Sequence, residues 1–196
     1  MTESPPLSSQ ELRSLLVETG AMLEGHFQLS SGLHSDRYMQ CALVLAHPRH
    51  AFRLGAALAR LAPQPPDLVL SPALGGVVIG QETAAALDVR AFFAERENGL
   101  MTLRRGFALK PGEKVLVVED VITTGKSTGE VIALARRLGA EVVGAASIVC
   151  RASEPPDLGV PFASLIHLPL TAVPADKCEL CRQGKPLVKP GSRPKP

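Results

Sequence analysis

The sequence has no tryptophan, one tyrosine and four cysteines in 196 residues. Cys41, Cys150, Cys178 and Cys181 are too few and too unevenly spaced for a disulfide framework in a chain of this length. No apolar run approaches the roughly 18 residues a membrane-spanning helix needs, which excludes a helical span. The opening Met1-Thr-Glu-Ser-Pro-Pro6 lacks the basic and then apolar regions of a secretory leader, so the expectation is a soluble, cytoplasmic protein. There is little excess of either charge: 21 basic against 19 acidic residues, a net +2. Lys185, Lys189, Arg193 and Lys195 lie in a tail without acids, so the rest is slightly acidic and offers no basic face for nucleic acid. The chain is nonetheless 45% hydrophobic, too apolar for a disordered one.

No internal repeat is present. Residues 8–24 read as a helix, opened by a capping box of Ser8 and Glu11 and presenting Leu12, Leu15 and Leu16 on one face. Residues 25–45 break that period and predict turns and short strands. Pro48–Leu61 returns to helical spacing, with proline at the first helical position. Short apolar runs at 68–70, 90–94, 114–118 and 141–150 then alternate with helical patterns at 76–87 and 128–138. Strand and helix in alternation predict an α/β fold, a mostly parallel twisted sheet flanked by helices on both faces. Ligands gather at the carboxyl ends of such strands, where the polar and glycine-rich segments 71–76, 95–106 and 119–127 fall. After residue 152 the pattern loosens, and 184–196 reads as an extended, proline-rich basic tail.

The most informative stretch is Val115-Leu-Val-Val-Glu-Asp-Val-Ile-Thr-Thr-Gly-Lys-Ser-Thr128. A buried strand delivers two adjacent carboxylates, and a Thr/Gly/Ser turn then opens a helix. Backbone N–H groups of such a turn converge beside the positive helix end and cradle a phosphate. Thr123, Thr124 and Ser127 add hydroxyl donors and Lys126 adds charge. A nucleotide-binding P-loop would need glycine where Asp120 stands. Carboxylates next to a phosphate cradle fit a ligand whose hydroxyls neighbour its phosphate, a ribose 5-phosphate.

This stretch resembles the phosphoribosyl pyrophosphate (PRPP) signature of the type I phosphoribosyltransferases. Gly25-His-Phe-Gln-Leu-Ser-Ser-Gly-Leu-His-Ser-Asp-Arg-Tyr-Met-Gln40 is similar to the amino-terminal hood of the orotate phosphoribosyltransferases. Ser71-Pro-Ala-Leu-Gly-Gly76 looks like that family's pyrophosphate turn, Phe93-Ala-Glu-Arg96 like the entrance to its mobile loop, and Cys150-Arg151 like its orotate-contacting arginine. The resemblance implies one domain over 1–183, with its core at about 48–151 and a small hood built mainly from 20–45 and 160–183. It implies that PRPP meets Ala73, Leu74, Gly75, Gly76, Arg96, Glu119, Asp120, Val121, Ile122, Thr123, Thr124, Gly125, Lys126 and Ser127. Glu119 and Asp120 would hold the ribose hydroxyls, and the 123–127 turn the 5′-phosphate. Orotate would meet Tyr38, Thr123 and Arg151. The implied reaction joins orotate to PRPP, giving orotidine 5′-phosphate and pyrophosphate in the de novo route to uridylate. Mg2+, carried mainly by PRPP rather than by a protein metal site, is the implied cofactor. A homodimer whose mobile loops reach the partner's site is the implied assembly, with neither nucleic acid nor membrane as partner.

This chain departs from the family where many members have lysines: Ser30 in the hood, Gly75 in the 71–76 turn, and a lysine-free loop over 97–106. Arg104 or Arg105 is the expected substitute for the loop lysine, with Asp120 as the third catalytic residue. Two other functions share the 115–128 signature: transfer to another base, and a non-catalytic PRPP-sensing regulator. Residues 25–40 with Arg151 oppose the first, and the missing nucleic-acid element opposes the second. Cys178-x-x-Cys181 is half a zinc site, with His167 as a candidate third ligand, or a local disulfide, or a plain turn. His26, His34, His47 and His50 show no ligand spacing and are expected to be solvated or hydrogen-bonded, and Cys41 and Cys150 to be core residues. The basic tail reads as a solvated end or a contact on a neighbouring subunit, and Arg136-Arg137 as cations closing a helix.

Overall fold

The computed structural model describes residues 7–29 and 31–190. The chain runs α1 (Ser9–Glu18), β1 (Met22–Gln28), β2 (His34–Met39), α2 (Cys41–Leu45), α3 (Pro48–Ala59), β3 (Leu68–Pro72), α4 (Gly75–Leu87), β4 (Arg90–Glu97) and β5 (Leu100–Leu103). It continues through β6 (Lys114–Ile122), α5 (Lys126–Arg137), β7 (Glu141–Cys150), β8 (Phe162–His167), β9 (Ala172–Val173) and α6 (Glu179–Arg182). Among the described residues no helix is long and apolar enough to cross a membrane.

The capping box forms: Ser8 Oγ accepts from Glu11 N at 3.2 Å, and Ser8 N donates to Glu11 Oε2 at 2.9 Å. The helix ends at Glu18, not at 24, because Thr19 turns its hydroxyl back onto Leu15 O at 2.7 Å and Met22 already belongs to β1. Strands β1, β2 and β9 make a small antiparallel sheet.

The larger sheet has the order β5-β4-β3-β6-β7-β8, parallel except where β5 runs against β4. Alternate residues of its central strands face opposite layers, as the pleat requires. Val69, Leu116 and Val118 pack with Leu12, Val44, Leu54 and Ile79 from the first four helices. Leu68, Leu70, Val115 and Val117 pack on the other face with Val131, Leu134 and Ala135 of α5. The expected parallel sheet with helices on both faces is therefore the observed one.

Three expectations are corrected. Residues 162–167, expected in the hood, are the sixth strand of the core sheet, pairing with β7 from Ala145↔Phe162 to Cys150↔His167. Its pattern lacks the clean apolar run of the inner strands because it lies at the sheet's edge. The segment 97–106 is partly a hairpin: Glu97 pairs with Leu100 across Asn98 and Gly99, whose φ values of 49° and 83° are those of a two-residue Asn-Gly turn. The tail is extended as far as it is described but lies on β1, with Gln28 N bonded to Val188 O and Val188 N to His26 O, both at 2.8 Å. Ser30 and the tail beyond Pro190 lie outside the described residues.

Candidate active site

The carboxyl ends of β3, β6 and β7 lie side by side, so the segments that leave them share one edge of the sheet. At the end of β6 stand Glu119 and Asp120, both partly buried. Burial pushes the Glu119 carboxyl up to about 7, a rise that neighbouring Asp120 adds to and the Thr128 hydroxyl, donating to Oε2, opposes. Burial likewise raises Asp120, against the pull of the backbone N–H groups of Val121 and Asp120 itself. The turn after β3 closes over this pair: a Cβ on Gly75 would lie 2.6 Å from Asp120 Oδ1. A side chain at that position would press on the Asp120 carboxylate unless the carboxylate shifted. Leu74, beside it, is 87% exposed.

After β6 the chain turns at Thr123 and Thr124, both exposed, and Gly125 opens α5 with φ at 74°. Lys126 and Ser127 form its first turn, where N–H groups without a partner in the helix itself and the helix dipole face outward, the Lys126 N–H reaching Thr124 Oγ1 at 3.4 Å. Val121 packs on the core and Ile122 is 1% exposed, so of these two only the main chain borders the turn.

A cavity of about 620 Å³ opens between this turn and the small sheet. Tyr38, Thr123, Thr124 and Arg151 line it, so the three residues expected to meet orotate converge on one space. Tyr38 is set by its place on β2, opposite Leu23 and 5.9 Å from the Phe27 ring. Arg151 follows β7, fixed by its N–H to Ile122 O at 2.8 Å. Its Nε is buried without a hydrogen-bond partner, and among the described residues it makes no salt bridge. Desolvation pulls its pKa down, against the nearby Cys41 and Tyr38. An unpaired, desolvated guanidinium is costly unless an anion completes it. Cys41 is buried beside Asp120 and Arg151, and burial drives its thiol up and keeps it protonated.

Arg96, Arg104 and Arg105 do not line this cavity. Arg96 bonds Gly99 O at 2.7 Å and pairs with Glu130; Arg104 lies 3.5 Å from Glu97, and Arg105 grips Glu95 at 2.8 and 2.9 Å. Motif reading missed Thr128, a fully buried hydroxyl one helical turn past the signature glycine. It also missed Lys189 and Pro190 in the cavity wall, which no local pattern announces. His167 is no neighbour of the cysteine pair, since its Nε2 bonds Ala152 O at 2.8 Å. The histidines beside Cys178 and Cys181 are His26 and His34, expected to be non-ligands. Cys41 and Cys150 are core residues as expected, and Arg136 and Arg137 close α5.

Residues 44–165 match the phosphoribosyl transferase domain family. The orotate phosphoribosyltransferase of Desulforamulus reducens is 50% identical over 188 residues, 95% of this chain and 98% of its own. That of Thermotoga maritima is 50% identical over 183 residues, 93% and 98% of the two chains. Among solved structures, the orotate phosphoribosyltransferase of Aeropyrum pernix superposes with a TM-score of 0.68 at 28% identity, covering 80% of this chain and 93% of that one. The Mycobacterium tuberculosis enzyme in complex with PRPP gives 0.64 at 26% identity, covering 81% and 94%. With the Thr123–Ser127 turn, the acidic pair and the Tyr38–Arg151 cavity on one edge of the sheet, the chain belongs to the orotate phosphoribosyltransferase family.

Proposed function

We propose that this chain transfers the 5-phosphoribosyl group of PRPP to orotate, releasing pyrophosphate and giving orotidine 5′-phosphate for uridylate synthesis, as a cytoplasmic homodimer. The observation that carries the reading is Arg151: a desolvated guanidinium without an acidic partner, facing the same cavity as Tyr38 and Thr123. Orotate is a flat ring bearing a carboxylate. Arg151 takes the carboxylate in a charge-assisted pair, Tyr38 offers its ring face, and Thr123 adds a hydroxyl.

PRPP lies along the adjoining edge. Its 5′-phosphate sits on the Thr123–Ser127 turn at the start of α5, where backbone N–H groups, hydroxyls and Lys126 meet it. Glu119 and Asp120 accept from the ribose hydroxyls, and Thr128 holds Glu119 in place. The 73–76 main chain, beside Asp120, faces the pyrophosphate. Carboxylate oxygens and hydroxyls are hard donors that suit Mg2+; bound with PRPP against Glu119 and Asp120, it would neutralise charge on the departing pyrophosphate. Orotate attacks the anomeric carbon as pyrophosphate leaves, and positive charge develops on the sugar. The two carboxylates stabilise that charge and fix the ring for in-line approach. Arg104 or Arg105, and Arg96, are assigned to the leaving group across the dimer, where the β4–β5 segment of one subunit closes on the partner's site and excludes water.

The test is incubation of the purified protein with Mg2+, PRPP and orotate, following loss of orotate absorbance, with adenine, hypoxanthine and uracil in parallel. Consumption of orotate alone is the expected result. Turnover of another base would overturn the assignment of Tyr38 and Arg151; PRPP binding without any turnover would make the chain a sensor.

A further inference from the structure

We propose that His26, His34, Cys178 and Cys181 form a structural zinc site that fastens the C-terminal segment to the β1–β2 hairpin and seats Lys189 in the orotate cavity. The four come from three places in the chain: β1, the start of β2, and the first turn of α6 with the residue before it. One ligand atom from each lies within 4.8 Å of all the others. His26 Nε2 is 3.0 Å from His34 Nδ1, 3.4 Å from Cys178 Sγ and 3.6 Å from Cys181 Sγ, and Cys181 Sγ is 3.2 Å from His34 Nδ1. A tetrahedral zinc ion with ordinary Zn–N and Zn–S bonds sets its ligand atoms about 3.3–3.8 Å apart, so these spacings are near those of a closed site.

The tautomer of His26 strengthens the case. Its Nδ1 lies 2.9 Å from the backbone carbonyl of Lys185, which can only accept, so Nδ1 carries the proton and Nε2 presents its lone pair inward. That lone pair can accept one hydrogen bond, yet three polar atoms crowd it. Hydrogen bonds can join these four atoms only in pairs, each thiol giving its one proton to one imidazole nitrogen; a cation at the centre is bound by all four at once. Metal binding releases the two thiol protons to solvent. Two sulfurs with two imidazole nitrogens select zinc over magnesium, and four protein ligands leave no open position for catalysis. Three of the four residues are buried, with only Cys181 exposed. The oxygen-donor pair Glu119 and Asp120 is different chemistry at a different place.

The consequence reaches the orotate cavity. Beyond Lys185, the segment pairs with β1 through Val188, and the next two residues, Lys189 and Pro190, form part of the cavity wall with Tyr38 and Arg151. Anchored a few residues upstream, Lys189 brings a cation to a site that binds an anionic base. This second half rests on the orotate reading; the metal site does not.

The full chain, purified in reductant without chelator and equilibrated with zinc before desalting, is assayed for metal content. One zinc per chain is expected, and cobalt(II) in its place should show the visible bands of a tetrahedral thiolate complex. Cys178→Ser and Cys181→Ser should lose both signals, while His47→Gln keeps them. A wild-type chain that retains no zinc under these conditions overturns the site. So does zinc retained by both cysteine variants, or a Cys178–Cys181 disulfide that persists in reductant. If the variants do not fold, wild-type stoichiometry and the cobalt spectrum decide. Stripping the ion should raise the orotate KM about tenfold and leave the PRPP KM in place; an unmoved orotate KM overturns the seating of Lys189. Failure of the orotate reading would look different: zinc bound, and no base turned over.

Discussion

Replacing Glu119 with glutamine should stabilise the unliganded protein, increasingly so as pH rises. The buried carboxyl titrates at about 7 against an ordinary 4.5, so the folded state holds its proton where the unfolded chain releases it. Below the unfolded value both states are protonated and the group adds no penalty. As pH climbs, wild type loses about 1.4 kcal/mol per pH unit relative to the variant, and the loss levels off above the folded value. The full difference is about 3 kcal/mol. The glutamine carbonyl can still accept from Thr128, so that hydrogen bond is kept in the variant. For a chain of this length the difference appears as a rise in Tm of about 6–12 °C. Urea unfolding at one protein concentration, in steps from pH 4.5 to 8.5 without ligand, measures it. A gap between variant and wild type that stays constant across that range would refute the burial argument. So would a variant less stable than wild type at pH 8.

The same group should link PRPP binding to pH. Ribose hydroxyls favour the ionised carboxylate, so binding at pH 7 should release about half a proton from Glu119, and affinity should rise between pH 6 and 8; calorimetry in buffers of different ionisation enthalpy reads the release, which Glu119→Gln should abolish. Arg151→Ala should lower kcat/KM for orotate about a hundredfold, the loss of about 3 kcal/mol of charge-assisted pairing, while PRPP binding measured directly stays unchanged. Tyr38→Ala should raise the orotate KM by up to about tenfold through lost ring contact, and Tyr38→Phe should restore it. An equal mixture of subunits carrying Arg104→Ala/Arg105→Ala and subunits carrying Asp120→Asn should regain up to about a quarter of the wild-type activity per site, because about half of the dimers are then mixed and each mixed dimer has one of its two sites intact; mixed dimers that form yet stay inactive would place the arginines elsewhere.

The outcomes divide by how far apart in the chain the deciding residues lie. The 115–128 stretch was legible because its parts are consecutive: strand, acids, turn and helix start follow one another, and local geometry alone brings them together. The sheet was legible for the same reason, since its inner strands are apolar runs bounded by polar turns. The edge strand β8 has a weaker pattern, because among the described residues one side of it has no strand neighbour. The Asn-Gly hairpin at 98–99 carried a readable signal that the expectation of an open loop overrode.

Contacts between distant residues were not legible. Nothing near Cys178 announces His26, 152 residues earlier, and the spacing of His26 and His34 matches no ligand motif; only the β1–β2 hairpin and the docked tail bring the four side chains together. Lys189 reaches the cavity lined by Tyr38 and Arg151 by the same docking. Glu119 was readable as an acid, but its elevated pKa was not, because desolvation depends on how the β3–α4 turn and α5 close around it. Residue type and local order determine which chemistry the chain carries. Burial and long-range packing decide which groups meet, and in what state of charge, because both depend on what surrounds a side chain in space rather than along the chain.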